Sequence, residues 1–138
     1  MEELRQLYNS LPTYDKLYKT EPVVEGTDYH IAVLSDEAYD TAKGLINYYR
    51  RVAGLGDITL SDDVNESAAY GALALAMNNS GLTHYPSQPK DMSSIDYNKA
   101  YAATTSSNLS SASGYLEKRI ISLAVSGQIG DSDSSNIG

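Results

Sequence analysis

The chain offers few residues that could do chemistry, and His84 in the stretch "GLTHYPSQP" (residues 81–89) is the most prominent of them. An imidazole can take or give a proton near neutral pH, or lend a nitrogen to a metal ion. The only other histidine is His30, in "YHIAVL", which reads as a surface or strand-end residue. With no cysteine, the chain has no thiol nucleophile, no thiolate ligand and no disulfide. Any metal would have to be held by histidine and carboxylate, and one histidine alone holds nothing tightly.

The elements that must position His84 follow from periodicity. "MEELRQLYNSL" places Leu4, Leu7, Tyr8 and Leu11 on one helical face, which Pro12 stops. Residues 13–34 are irregular, with "YHIAVL" as the one candidate strand, so residues 1–34 read as an arm with a short helix. Ser35 then caps a helix with Asp36 and Glu37 in its first turn, Arg50 and Arg51 in its last, and Gly54 beyond its end. Ser61, Asp62 and Asp63 repeat that pattern ahead of an alanine-rich helix running to a stop at Gly81. Its small residues Ala68, Ala72 and Ala76, with Val64 and Leu75, predict a face against which another element packs closely. A short helix is expected around Tyr97–Ala102, and a further one from about Ser111 to Val125.

Composition narrows the function classes. At 138 residues the chain is one domain's worth of sequence. Ten basic residues against eighteen acidic give a formal charge of −8, the wrong sign for following a phosphate backbone, so nucleic-acid binding is not expected. No run approaches the roughly 18 consecutive apolar residues of a membrane span, and "MEELRQLYNS" lacks the apolar run of a signal peptide. Twelve tyrosines with no phenylalanine or tryptophan imply that tyrosine takes phenylalanine's place in the core and at its rim, the alternative being a carbohydrate- or lipid-facing tyrosine patch.

Residues 46–89, "INYYRRVAGLGDITLSDDVNESAAYGALALAMNNSGLTHYPSQP", resemble the opening of a bacterial CAP domain. This is the superfamily of cysteine-rich secretory proteins, antigen 5 and plant pathogenesis-related proteins. The features that carry the resemblance are Asn47, Arg50, Ala53 to Leu55, Ile58 to Leu60, and Leu82 to Pro86, joined later by "NKAYAATTSSNL" and "SDSSNIG". The resemblance implies an α+β fold, the helix-rich N-terminal part of a CAP-type α-β-α sandwich with few strands, over residues 35–138. Much of the family's sheet would lie beyond Gly138, so the domain is expected to be incomplete at its C-terminal end and prone to self-association through its incomplete core.

The resemblance also implies a site. His84 matches one histidine of a cleft-lining tetrad of two histidines and two acids that binds a divalent metal in several members. Ser107, followed by Asn108, stands where the family has a glutamate, Asp131 is the nearest counterpart of the second acid, and the second histidine would follow Gly138. Hence His84, Ser107, Asn108 and Asp131 are the expected cleft residues, with no cofactor beyond a weakly held divalent metal. The functional expectation is a secreted or cell-surface bacterial module that binds a small-molecule, lipid, cell-envelope or protein ligand without turning it over. The alternative is a peptidase- or esterase-type hydrolase with His84 as general base, for which no "G-x-S-x-G" elbow is present.

Overall fold

The computed structural model describes residues 2–79, 81–107, 109, 121 and 125. Within them the chain is helix-rich, with a small two-stranded sheet, and so belongs to the α+β class at a coarse level. The elements are α1 (Glu2–Asn9), β1 (Tyr18–Thr20), β2 (Val33–Leu34), α2 (Asp36–Val52), α3 (Asp62–Asn78) and α4 (Ser94–Ser106). The expected helix at residues 111–125 lies almost wholly outside the described residues, although Ile121 and Val125 are helical. The chain forms two compact units, and residues 1–34 contribute to both.

The first unit draws on Met1–Leu17 and Leu34–Leu60. Helix α2 begins where its sequence says it should: the Ser35 hydroxyl accepts from Ala38 N at 3.1 Å and donates to Lys16 O at 2.7 Å. A single side chain thereby caps the helix and fastens the preceding arm to it. The helix ends in a Schellman turn, with Gly54 at φ 76°, its N–H on Arg51 O at 3.0 Å and Leu55 N–H on Arg50 O at 2.8 Å. A Cβ at Gly44 would stand 3.2 Å from Pro12 Cδ and 3.3 Å from Leu11 Cδ2, so glycine is what lets the arm lie against α2. Beyond α2 the Asn47 amide pairs with both backbone groups of Ile58, donating to its carbonyl at 3.1 Å and accepting from its N–H at 2.7 Å. That pairing holds the "ITL" segment without a strand partner. Tyr14, Leu17, Ala38, Leu45 and Ile121 are the buried apolar residues here, and the Tyr14 hydroxyl accepts from Ile121 N at 3.4 Å.

The second unit draws on Tyr18–Val33 and Ser61–Ser111, and its core is the packing of α3 on α4. Leu73, Ala74, Met92 and Ala100 are buried together, with Tyr29, Ile31, Tyr70, Met77 and Tyr97 packed around them. Helix α4 runs well beyond the expected Tyr97–Ala102. Ser93 caps it by accepting from Asp96 N at 3.2 Å, and a run of Thr and Ser hydroxyls bonded to carbonyls three or four residues back, such as Ser106 to Ala102 O at 2.7 Å, lets the polar end stay helical.

Close packing against α3 is present, but of the expected residues only Leu75 is even half-buried. Ala68, Ala72 and Ala76 are exposed and Val64 keeps 65% of its surface, whereas Gly71, Leu73 and Ala74 are buried. Small apolar residues surround α3 on nearly every side, so periodicity could not select a face. Gly71 decides it: a Cβ there would meet Thr104 Cγ2 at 3.2 Å, Ala103 Cβ at 3.4 Å and Ala100 O at 3.6 Å.

Two predictions follow from these contacts. In Gly71→Ala a helix-propensity gain of about 1 kcal/mol offsets the tight contact, leaving stability near that of wild type. Gly71→Val has no room for its branched methyls and should cost about 1–3 kcal/mol in urea denaturation. In the first unit, the hydrogen bond and charge of Arg51 hold the Asp57 carboxyl below its usual range, through contacts of 3.0 and 2.7 Å. A depressed folded-state value means the pair contributes above the unfolded carboxyl's pKa and is lost as pH falls through the folded one. The difference in urea midpoint between wild type and Asp57→Asn should therefore be small, salt-sensitive and confined to pH above roughly 4.

Candidate functional site

His84 sits in the segment between α3 and α4, and that segment is fastened along its length. Helix α3 ends at Asn79 in the left-handed conformation (φ 49°), turning the chain out of the helix. Asn78 Nδ2 then donates to Ser87 O at 2.8 Å, the Tyr97 hydroxyl to Pro86 O at 2.7 Å, and Gln88 Nε2 to Met92 O at 2.9 Å. Pro86 and Pro89 are buried. Two prolines and three side-chain-to-backbone bonds leave this connection little freedom, which is what a positioned histidine requires.

The imidazole itself is exposed, and its Nδ1 lies 2.6 Å from Thr104 O. A carbonyl oxygen only accepts, so Nδ1 carries the proton and the neutral ring keeps its lone pair on Nε2. Thr104 lies in the last turn of α4, where carbonyls have no partner within the helix. The bond therefore closes a helix end and pins the 81–89 segment to it.

Beside this contact α3 and α4 border a shallow cavity of about 170 Å³, partly open to solvent. Its walls are Ala68, Gly71, Ala72 and Leu75 of α3 with Ala103 and Thr104 of α4, and Ser107 and Leu109 stand at its rim. Thr104 is thus shared: its carbonyl holds His84, its methyl packs near Gly71, and its buried hydroxyl donates to Tyr101 O at 3.1 Å. The walls are aliphatic, with Ser107 and Thr104 supplying the hydroxyls, and none of the described residues that line the cavity is ionisable.

Of the expected cleft residues, His84 and Ser107 are described and both lie at the C-terminal end of α4. The hydrogen bond of His84 goes to a backbone carbonyl and not to the Ser107 hydroxyl. Asn108 and Asp131 lie outside the described residues. Among the described residues no three His, Cys, Asp or Glu side chains stand close enough to hold a metal ion. His30 is exposed, with its backbone paired to Val23 in an isolated antiparallel bridge and its Nδ1 2.5 Å from Ile31 O. No helix among the described residues is long and apolar enough to cross a membrane.

Sequence reasoning missed Gly71 and Thr104. A glycine inside an alanine-rich helix was the available signal for the first, since its helix penalty needs a packing reason. Thr104, in a polar run, gave none.

At the far end of α4 the hydroxyl of Tyr29 donates to the Asp96 carboxylate and accepts from Ser93 N at 3.1 Å. Tyr70 packs nearby under Lys99, whose Nζ lies 5.1 Å from the ring centroid and 3.5 Å from Glu66. Burial, reinforced by the Asp96 charge, pushes the Tyr70 hydroxyl above its ordinary range.

No family model matches the chain, and no curated protein or solved structure does so either.

His84→Ala removes a bond that closes a helix end, so its expected effect is on stability: a loss of about 0.5–1.5 kcal/mol in urea denaturation.

Proposed function

We propose that this chain is a CAP-like module, secreted or carried on a bacterial cell surface, that binds a lipid, cell-envelope or protein ligand without turning it over. In this reading α2, α3 and α4 are the helical part of a CAP-type α-β-α sandwich, and His84 marks the edge of its cleft. The observation that carries the non-enzymatic part is the bond from His84 Nδ1 to Thr104 O. A general base needs its imidazole oriented by a third group and its free nitrogen aimed at a nucleophile. Here a backbone carbonyl orients the ring, and among the described residues no nucleophilic side chain is hydrogen-bonded to it.

The α3–α4 cavity supports an apolar ligand. At about 170 Å³ it is smaller than the roughly 300–1,000 Å³ of pockets that enclose whole small molecules. Such a cavity suits a length of acyl chain or one large apolar side chain of a partner. Its described lining, aliphatic with two hydroxyls, favours neutral aliphatic surface over a charged headgroup.

A fluorescent long-chain fatty acid and a p-nitrophenyl acyl ester separate the two readings. The module should bind the fatty acid saturably and leave the ester at its buffer hydrolysis rate. Ala72→Lys, an exposed position at the cavity wall, should weaken binding about tenfold or more by placing a charge against aliphatic surface. His84→Ala should leave binding within about threefold, since one neutral hydrogen bond at the edge is all it removes. Ester turnover that drops about a hundredfold in His84→Ala would instead establish the hydrolase.

A further inference from the structure

The tyrosines are the feature of this chain that the cavity does not use. Twelve are present, and neither cysteine nor tryptophan competes with them for one-electron oxidation. The three methionines follow a different course, taking an oxygen atom to become sulfoxide. In the first unit Tyr8 of α1 meets Tyr48 of α2 with ring centroids 5.1 Å apart at 58°, and Tyr48 in turn meets Tyr49 at 5.3 Å. Tyr8 keeps 52% of its surface exposed, so an oxidant can reach it and its ring has space to turn. The other neighbouring tyrosines among the described residues are farther apart, Tyr97 and Tyr101 at 5.9 Å and Tyr85 and Tyr101 at 6.5 Å, and the Tyr97 hydroxyl is engaged on Pro86 O.

We infer that Tyr8 and Tyr48 form an oxidative cross-linking site, at which a dityrosine bond joins α1 to α2. The oxidant is a peroxidase-type haem enzyme with hydrogen peroxide. Each phenol gives up one electron and its hydroxyl proton to become a phenoxyl radical. The two radicals couple through the ring carbons ortho to oxygen, forming one carbon–carbon bond. The hydrogen on each coupled carbon then moves to the phenolic oxygen as the rings regain aromaticity. Two hydrogen atoms leave the protein in all, and one peroxide is reduced to two waters.

The site has a structural logic. Helix α1 is only eight residues long, too short to be stable alone, and it is held by its packing on α2 and the arm. A cross-link between residues far apart in the sequence removes freedom from the unfolded chain just as a disulfide does. This chain has no disulfide to perform that service. Tyr49, touching Tyr48, lets an oxidised ring in this cluster pass its radical to the reacting pair.

The test exposes the full chain to horseradish-type peroxidase and peroxide at low protein concentration, then reads dityrosine fluorescence, intact mass and cross-linked peptides. The expected product is a monomer lighter by two hydrogen atoms, with Tyr8 and Tyr48 in one cross-linked peptide pair. Its melting temperature should rise by on the order of 5 °C or more. Tyr8→Phe and Tyr48→Phe each preserve the packed ring and should each abolish that product, whereas Tyr85→Phe should leave it. A monomer product that persists in Tyr8→Phe, one that maps to another tyrosine pair, or cross-linking only between molecules would overturn the assignment.

Discussion

The closeness of α3 to α4 at Gly71 is the constraint on which the rest of the second unit depends. With no Cβ on Gly71, Ala103 and the Thr104 methyl settle directly against the α3 backbone. This unit buries Ala74, Ala100 and Ala103, which offer little apolar area each, so contact density must supply what side-chain size does not. The same approach sets where α4 ends relative to α3, and hence where the Thr104 carbonyl is presented to His84. A shallow aliphatic cavity lies along Ala68, Ala72 and Leu75.

Connections are held by side chains bonded to backbone, and ion pairs have little share in this. Asn47 substitutes for a strand partner at Ile58, while Asn78, Gln88, Tyr97 and His84 together fix the segment from Gly81 to Met92. These bonds are short-range and indifferent to salt. The ion pairs among the described residues are exposed: Arg51 with Asp57, Lys99 with Glu66 and Arg5 with Glu2 all keep a large part of their side-chain surface in solvent. Among the described residues no buried side-chain nitrogen or oxygen lacks a partner.

Tyrosine in place of phenylalanine has the same explanation. The Tyr14 hydroxyl accepts from Ile121 N, the Tyr29 hydroxyl bridges Ser93 and Asp96 at the start of α4, and the Tyr97 hydroxyl reaches Pro86 O. Each ring contributes apolar area while its oxygen joins a segment distant in sequence, which phenylalanine could not do.

Local signals in the sequence determined the helices. Ser35 and Ser61, followed by acids, fixed the starts of α2 and α3, and Gly54 fixed the end of α2, because caps and turns depend on only a few neighbouring residues. The lone histidine after the alanine-rich helix was equally visible, and so was the tyrosine substitution. What His84 bonds to was not, since Thr104 is twenty residues away and its carbonyl becomes an acceptor only because α4 ends there. Nor could the sequence choose which side of α3 is covered. Its small apolar residues lie all around the helix, and only the partner helix, seated on Gly71, distinguishes the buried face from the exposed alanines. Periodicity records what a face could bury, whereas tertiary contact decides which face is buried.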